Sequence, residues 1–334
     1  MNEKVDKFSD PEWLRNLPLR FEEIGYSPDE LTECPKCGKP NAPNRAACLY
    51  CGTELINTRS KRIELDEVES WENGFNVIAT VSNEIQVERT VRELTATLRL
   101  EHQILERLLG SGKALPIARV STGDTAAAIS ELLVTHGIET QTVRDADLLL
   151  DAPPRRLRSI EFGDDNLLLH PFSGGESIKL HRNDVAVIVW CVLLTEQLES
   201  TEQKKRRSVT TVSETQTSSD HLVLDVYSRA DPTGWRVPIS GFDFSSLGEH
   251  KSLLAQENIK CLGERISSSA PAARLVDDYR SVRPILEVCW PSEHRKDTQS
   301  SSLVTLGRNK KTRVFTTDNT TQVTKYSRLQ WHLL

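Results

Sequence analysis

The chain has 334 residues, of which 37% are hydrophobic and 27% are charged, and its formal net charge is −6. This length predicts about two compact domains plus smaller pieces, and the low apolar share predicts some disordered length. The longest apolar run, Val185–Leu194, has ten residues, whereas a membrane-spanning helix needs about twenty. The first residues contain no apolar signal core, so we expect a cytoplasmic protein without a signal peptide.

Charge and cysteine usage add two expectations. From residue 292 to the end there are eight Lys/Arg and three Asp/Glu, so a basic tail follows an acidic body. Such a tail indicates an anionic partner or a segment that folds back on its own body. Of the seven cysteines, four are clustered, whereas Cys191, Cys261 and Cys289 each stand alone in an apolar stretch. This pattern is not typical of a disulfide-rich secreted protein and predicts a reducing compartment.

The first part of the chain contains the cysteine cluster. Residues 1–33 form an acidic segment interrupted by prolines, which predicts one short helix at most. Residues 34–56 contain two matched Cys-x-x-Cys-Gly pairs. Residues 57–73 are a charged linker in which acidic and apolar residues alternate. A strand and a solvated linker are both compatible with that alternation.

The two Cys-x-x-Cys-Gly pairs predict a metal site. Two residues between paired cysteines let both sulfurs reach one ion from a tight turn, and the following glycine permits a positive φ. Four thiolates form a closed tetrahedral shell for one structural Zn²⁺ and leave no position for a water molecule. A redox pair is the alternative, but a redox Cys-x-x-Cys rarely has a second matched copy. The predicted ligands are Cys34, Cys37, Cys48 and Cys51.

The cysteine module resembles the zinc ribbons that are common in bacterial proteins, and the resemblance covers residues 34–55. It implies a small module that uses its metal for folding or docking. Three cations on the ribbon could contact nucleic acid, although ordinary solvated side chains are the simpler interpretation. They are Lys36, Lys39 and Arg45.

Residues 74–150 predict a small α/β unit with the order β-α-β-α-β. A β-branched strand at Asn76–Val81 precedes one long helix from Asn83 to Leu109, whose apolar stripe is interrupted once, at Glu101. A strand, a second helix and a third strand follow, as in a layer of helices on a sheet. The segment 116–144 resembles the prokaryotic signal-transducing domain.

Residues 155–290 predict a β-rich domain closed by C-terminal helices. Residues 159–170 read as a hairpin with an Asp/Asn/Gly turn, and the apolar run at 185–194 fits a buried central strand. The Ser/Thr/Glu-rich stretch 199–220 reads as a flexible insert. The segment 159–268 is similar in outline to bacterial pleckstrin-homology-like domains, and that similarity is one of fold only.

The basic tail, residues 291–334, is rich in Ser and Thr and has few large apolar residues. We expect it to be largely disordered, apart from a strand near 312–316. Taken together, the sequence predicts an α+β protein of several domains: a zinc ribbon, a small α/β unit and a β-rich unit with a C-terminal helix.

No stretch of the sequence carries a catalytic motif. The segment 109–114 contains Gly-Ser-Gly-Lys but has Arg107 and Ala114 where a phosphate loop needs glycine and a hydroxyl. We therefore assign no catalytic residue. We interpret the chain as a non-enzymatic regulatory or adaptor protein that binds a protein partner. Nucleic-acid binding by ribbon and tail is one alternative, not favoured because the tail cations are spread over many residues. An enzyme with an unrecognised site is the other.

Overall fold

The structure is a computed structural model that describes residues 31–42, 45, 47–53, 55, 68–69, 72–80, 87–148, 152–205, 208–301 and 309–334. The chain divides into two compact units, Met1–Arg62 and Ile63–Leu334. Its elements confirm the α+β class. Most of the predicted acidic segment and of the charged linker lies outside the described residues.

In the first unit, two short strands precede and follow the first cysteine pair. They are β1 (Thr32–Glu33) and β2 (Pro40–Asn41), and they pair antiparallel. Cys34 and Cys37 therefore both lie in the tight turn that joins the two strands.

The second unit begins with a three-stranded antiparallel sheet, and its strands and helices follow the predicted β-α-β-α-β order except at the first helix. The first strand lies between the other two and is antiparallel to both. The predicted long helix is instead two helices, broken at residues 99–101, where Arg99 adopts a φ of 52°. The elements are β3 (Phe75–Thr80), α1 (Val87–Leu98), α2 (His102–Gly110), β4 (Leu115–Val120), α3 (Gly123–Thr135) and β5 (Glu139–Arg144).

A nine-stranded sheet follows in the same unit. Its strands are β6 (Arg155–Phe162), β7 (Asn166–Pro171), β8 (Ile178–His181), β9 (Val185–Lys205), β10 (Ser208–Ser228), β11 (Trp235–Pro238), β12 (Arg274–Val276), β13 (Glu293–Ser301) and β14 (Asn309–Asp318). Their spatial order is β13-β14-β9-β10-β11-β6-β7-β8, and β12 lies beside the first part of β9. The predicted hairpin at 159–170 is confirmed as β6 and β7.

Two hydrophobic cores lie on opposite faces of β9. Val187 and Val189 belong to the core shared with the three-stranded sheet, whereas Ile188 belongs to the core under β6–β8. Because both faces are covered, the strand needs the continuous apolar run that the sequence shows, and the predicted buried strand is confirmed. The remaining helices are α4 (Ala255–Ser269), α5 (Tyr279–Cys289) and α6 (Thr320–His332).

The structure corrects the expectation of a flexible insert at 199–220. These residues extend β9 and β10, which stay paired from Val185–Ser228 at the body to Lys205–Ser208 at the far end. Residues 213–218 are exposed at every position. Their sequence therefore lacks the alternation of apolar and polar residues that indicates a half-buried strand. Their backbone groups are satisfied by the ladder, and threonines suit an exposed strand.

The structure also corrects the expectation of a largely disordered tail over 309–334. β14 pairs along its whole length with β9, and α6 is buried in the first core through Val323, Tyr326 and Leu329. The other faces of α6 are polar but also buried, and Gln322, Ser327 and Arg328 of these faces form hydrogen bonds with distant elements. Composition alone cannot show such partners.

The ionised side chain of Asp145 connects several elements around α6. It is 2% exposed and accepts hydrogen bonds from Gly74 N (2.9 Å), Asn76 Nδ2 (2.9 Å) and Arg119 Nη2 (2.7 Å). Lys325 Nζ of α6 lies 3.1 Å from Oδ1 of Asp145, the oxygen that also accepts from Asn76. Burial opposes ionisation of Asp145, but Lys325, Asn76 and Arg119 outweigh it and lower its pKa.

We predict that Asp145→Ala lowers the free energy of unfolding by about 3–5 kcal/mol, because it leaves buried cations without their anion. The matched control, Asp147→Ala, removes an exposed ion pair with Arg144 and should cost at most about 1 kcal/mol. Urea unfolding at neutral pH measures both. Since the pKa of Asp145 is lowered on folding, its contribution is present above about pH 4 and is lost as the pH falls further. Equal losses in the two variants would contradict the prediction.

Candidate metal centre

The two cysteine pairs form matching turns. In each, the N–H of the glycine donates to the carbonyl of the first cysteine: Gly38 to Cys34 at 2.9 Å, and Gly52 to Cys48 at 3.0 Å. The φ angles of these glycines are +64° and +67°, a region that other residues rarely adopt. The glycine after each pair is therefore required by the turn, as the sequence predicts.

The structure brings the four predicted ligands together. Sγ of Cys34 lies 3.6 Å from Sγ of Cys51, and Sγ of Cys37 lies 3.6 Å from Sγ of Cys48. All four sulfurs lie within 4.8 Å of one another. Tetrahedral zinc with bonds of about 2.3 Å places its sulfurs about 3.8 Å apart. The cluster thus has the dimensions of a four-thiolate metal site.

A small core and one amide support the cluster. Cys34, Cys48 and Leu55 are buried against one another. The amide of Asn41, also buried, donates from Nδ2 to Cys48 Sγ at 3.5 Å and accepts from Leu49 N at 2.8 Å. Outer contacts of this kind orient metal ligands. The sequence analysis missed Asn41, because its role depends on the pairing of β1 with β2 and not on cysteine spacing.

The electrostatics of the cluster favour a bound cation. Burial disfavours the Cys48 thiolate, but N–H groups of Tyr50 and Cys51 and neighbouring thiols outweigh it, so the pKa of Cys48 falls to about 6. At Cys37, the backbone of Lys39 favours the thiolate, but burial and the adjacent thiols raise the pKa to about 12. Four thiolates this close therefore repel one another unless a divalent cation replaces their protons.

The geometry differs from that of a redox pair. The 3.6 Å contacts join sulfurs of different turns and not the two cysteines of one pair. Cys191 and Cys289 lie in the second unit, buried, where burial raises the pKa of each thiol. A shell of four thiolates leaves no open position for a water or a substrate, so its chemistry is structural.

The second unit contains a polar cluster at the start of α5. Asp278 occupies the position before α5, but its side chain caps no backbone N–H. Instead its carboxylate accepts hydrogen bonds from Lys113 and from the Tyr326 hydroxyl. These groups line an open pocket of about 540 Å³. Because the donors and the acceptor satisfy one another, we assign them a role in packing α6.

No protein-family model matches the chain, and no curated protein or solved structure is detectably similar to it. The resemblances of residues 116–144 and 159–268 to known domains thus have no support from the comparisons. None of the helices in the described part of the chain has the length and apolar character that a membrane crossing requires.

We predict that the reduced protein contains about one Zn²⁺ per chain, and that Cys37→Ser loses most of it because three thiolates cannot complete the shell. Cys261→Ser is the matched control, since Cys261 lies outside the cluster, and it should retain the metal. Elemental analysis measures content, and reconstitution with Co²⁺ reports four-thiolate geometry by its absorption. Equal metal content in the two variants would contradict the assignment.

Proposed function

We propose that Cys34, Cys37, Cys48 and Cys51 hold one structural Zn²⁺, and that the chain is a non-enzymatic regulatory or adaptor protein whose ribbon engages a protein partner. The observation that supports the first part is the closed set of four sulfurs within 4.8 Å. Metal binding would fix both turns, because in such modules binding energy is folding energy.

The second part rests on what the metal would hold in place. Leu49 and Tyr50 lie inside the second cysteine pair and are 62% and 55% exposed. Apolar side chains on a turn this rigid lose little conformational freedom when a partner covers them. Tyrosine is enriched among the residues that dominate the energetics of protein interfaces, and the exposed leucine beside it enlarges the apolar surface that a partner could cover.

A protein partner suits this ribbon better than nucleic acid does. Lys39 Nζ lies 4.5 Å from the centre of the Tyr50 ring, so this cation is placed against the aromatic face that a base would stack on. The ring and the cation together form one amphipathic surface. An enzymatic role would need an open metal position, which the closed shell does not offer.

We predict that a protein from the native host binds the full chain, and that this binding is lost when Leu49 and Tyr50 are both changed to serine. The control is Leu253→Ser, which alters a fully exposed leucine of the second unit. Crosslinking followed by mass spectrometry identifies the partner, and metal analysis verifies that both variants keep zinc. Capture that survives the double change, or that depends on nucleic acid and is abolished by nuclease, would contradict the proposal.

A further inference from the structure

The part of β10 that extends beyond the body of the second unit has an open side. β9 pairs with β10 on one side, whereas β11 covers only Val223–Val226 on the other. We call residues 213–220 the outer edge of β10. Within the described part of the chain, no strand pairs with the open side of these residues, and residues 213–218 and 220 have exposed side chains. Every second residue of the outer edge therefore directs its backbone N–H and C=O to solvent, over about 24 Å.

The two strands that end the large sheet are protected against pairing with another chain. β13 begins with Glu, His, Arg, Lys and Asp, and β8 has only four residues, of which Lys179 is exposed. Charged side chains and short length are common means of preventing edge-to-edge pairing. The outer edge of β10 is longer than β8 and contains neither lysine nor proline. It is therefore open to one more strand.

The sequence of the outer edge suits pairing with a second copy of itself. A twofold axis sets the same edge of two chains side by side and antiparallel. Opposing side chains then lie on the same face, and successive side chains alternate between faces, so the axis must pass through a residue. With the axis at Gln216, Thr215 lies opposite Thr217 of the second copy, and Glu214 lies opposite Ser218. Opposing threonines form a favourable cross-strand pair.

Neighbouring registers fit less well. An axis at Thr217 would place Glu214 opposite Asp220, and an axis at Glu214 would place that carboxylate opposite itself, and like charges in these positions are destabilising. An axis at Thr215 would bring the irregularity between Thr211 and Ser213 into the ladder after a shorter regular run. The axis at Gln216 keeps all of residues 213–219 in regular pairing without opposing two like charges.

We propose that the chain forms a homodimer in which the outer edges of β10 from two copies pair antiparallel about a twofold axis at Gln216, so that the two large sheets become continuous. This contact does not involve the zinc ribbon. Each copy uses its outer edge once, and the remaining ends of the sheet are protected. The assembly therefore closes at two chains and does not grow into a fibre.

The experiment is sedimentation velocity of the full zinc-loaded protein over a range of concentrations. Seven residues of pairing bury less surface than a standard protein interface, so we expect a reversible dimer with a dissociation constant in roughly the micromolar range. A protein that stays monomeric up to about 100 μM would overturn the proposal.

Paired charge changes test the register. Thr215→Lys with Thr217→Lys opposes two pairs of lysines across the axis and should weaken dimerisation about tenfold. Thr215→Glu with Thr217→Glu should weaken it similarly, and a mixture of the two variants should recover dimers because lysine then lies opposite glutamate. Recovery in the mixture separates loss of the interface from loss of folding.

The matched control makes the same change on another edge strand. Thr140→Lys with Thr142→Lys alters alternate threonines of β5, which ends the three-stranded sheet, and should keep the dissociation constant within about twofold. An equal loss of dimer in this control, or a dimer that both outer-edge variants leave unchanged, would assign the association to another surface and overturn the proposal.

A cysteine pair tests the position of the axis without a change of charge. Opposing Cα atoms of antiparallel strands lie about 4.5–5.5 Å apart, within the range of a disulfide. Gln216→Cys should therefore form a covalent dimer when oxidised glutathione is added, and mass spectrometry should identify the link between the two introduced cysteines. In Ser218→Cys, the introduced cysteines lie four residues apart along the strands, about 13 Å, and should not link. Equal linking in the two variants would contradict the proposed register.

Discussion

The arrangement of the second unit depends on one buried carboxylate, that of Asp145. A charge removed from water costs several kcal/mol unless cations and hydrogen-bond donors surround it. Here the donors come from Gly74 and Asn76 at the start of β3 and from Arg119 of β4, and Lys325 comes from the last helix. None of these groups can be buried without the others, so the two ends of the unit have to fold together.

The same constraint places β14 against β9. Once Lys325 fixes α6, Asn319 at the start of that helix accepts a hydrogen bond from Leu194 N at 2.7 Å and donates to Val192 O at 2.9 Å. Both partners belong to β9, so the end of β14 is held in one register against it. Further out, the hydroxyls of Thr201 and Thr312 lie 3.3 Å apart in that register. The register of β14 against β9 is therefore a consequence of how the core holds the C-terminal segment.

The parts of the fold that the sequence predicts are those set by local pattern. Cysteine spacing with its glycines identifies the metal cluster, and the apolar run of β9 identifies a strand covered on both faces. The β-α-β-α-β order also follows from periodicity. The break between α1 and α2 does not, because it depends on Arg99 adopting a left-handed conformation that residue type alone does not predict.

The parts that the sequence does not predict depend on distant partners. α6 reads as a polar segment, yet Gln322 Nε2 donates to Trp290 O at 2.6 Å and Arg328 Nη1 donates to Leu148 O at 2.6 Å. Such contacts bury polar groups at little cost, but they join residues that are far apart in the chain. Composition therefore makes a central helix resemble a disordered tail, and makes an exposed antiparallel ladder resemble a flexible insert.

The most direct measurement is hydrogen exchange of the backbone amides of residues 320–332, followed by mass spectrometry under native conditions. If α6 is part of the core that Asp145 holds together, these amides exchange only through global unfolding, at the same rate as those of β3. Exchange within seconds, while β3 remains protected, would show that the C-terminal segment is not part of the core and would contradict the account.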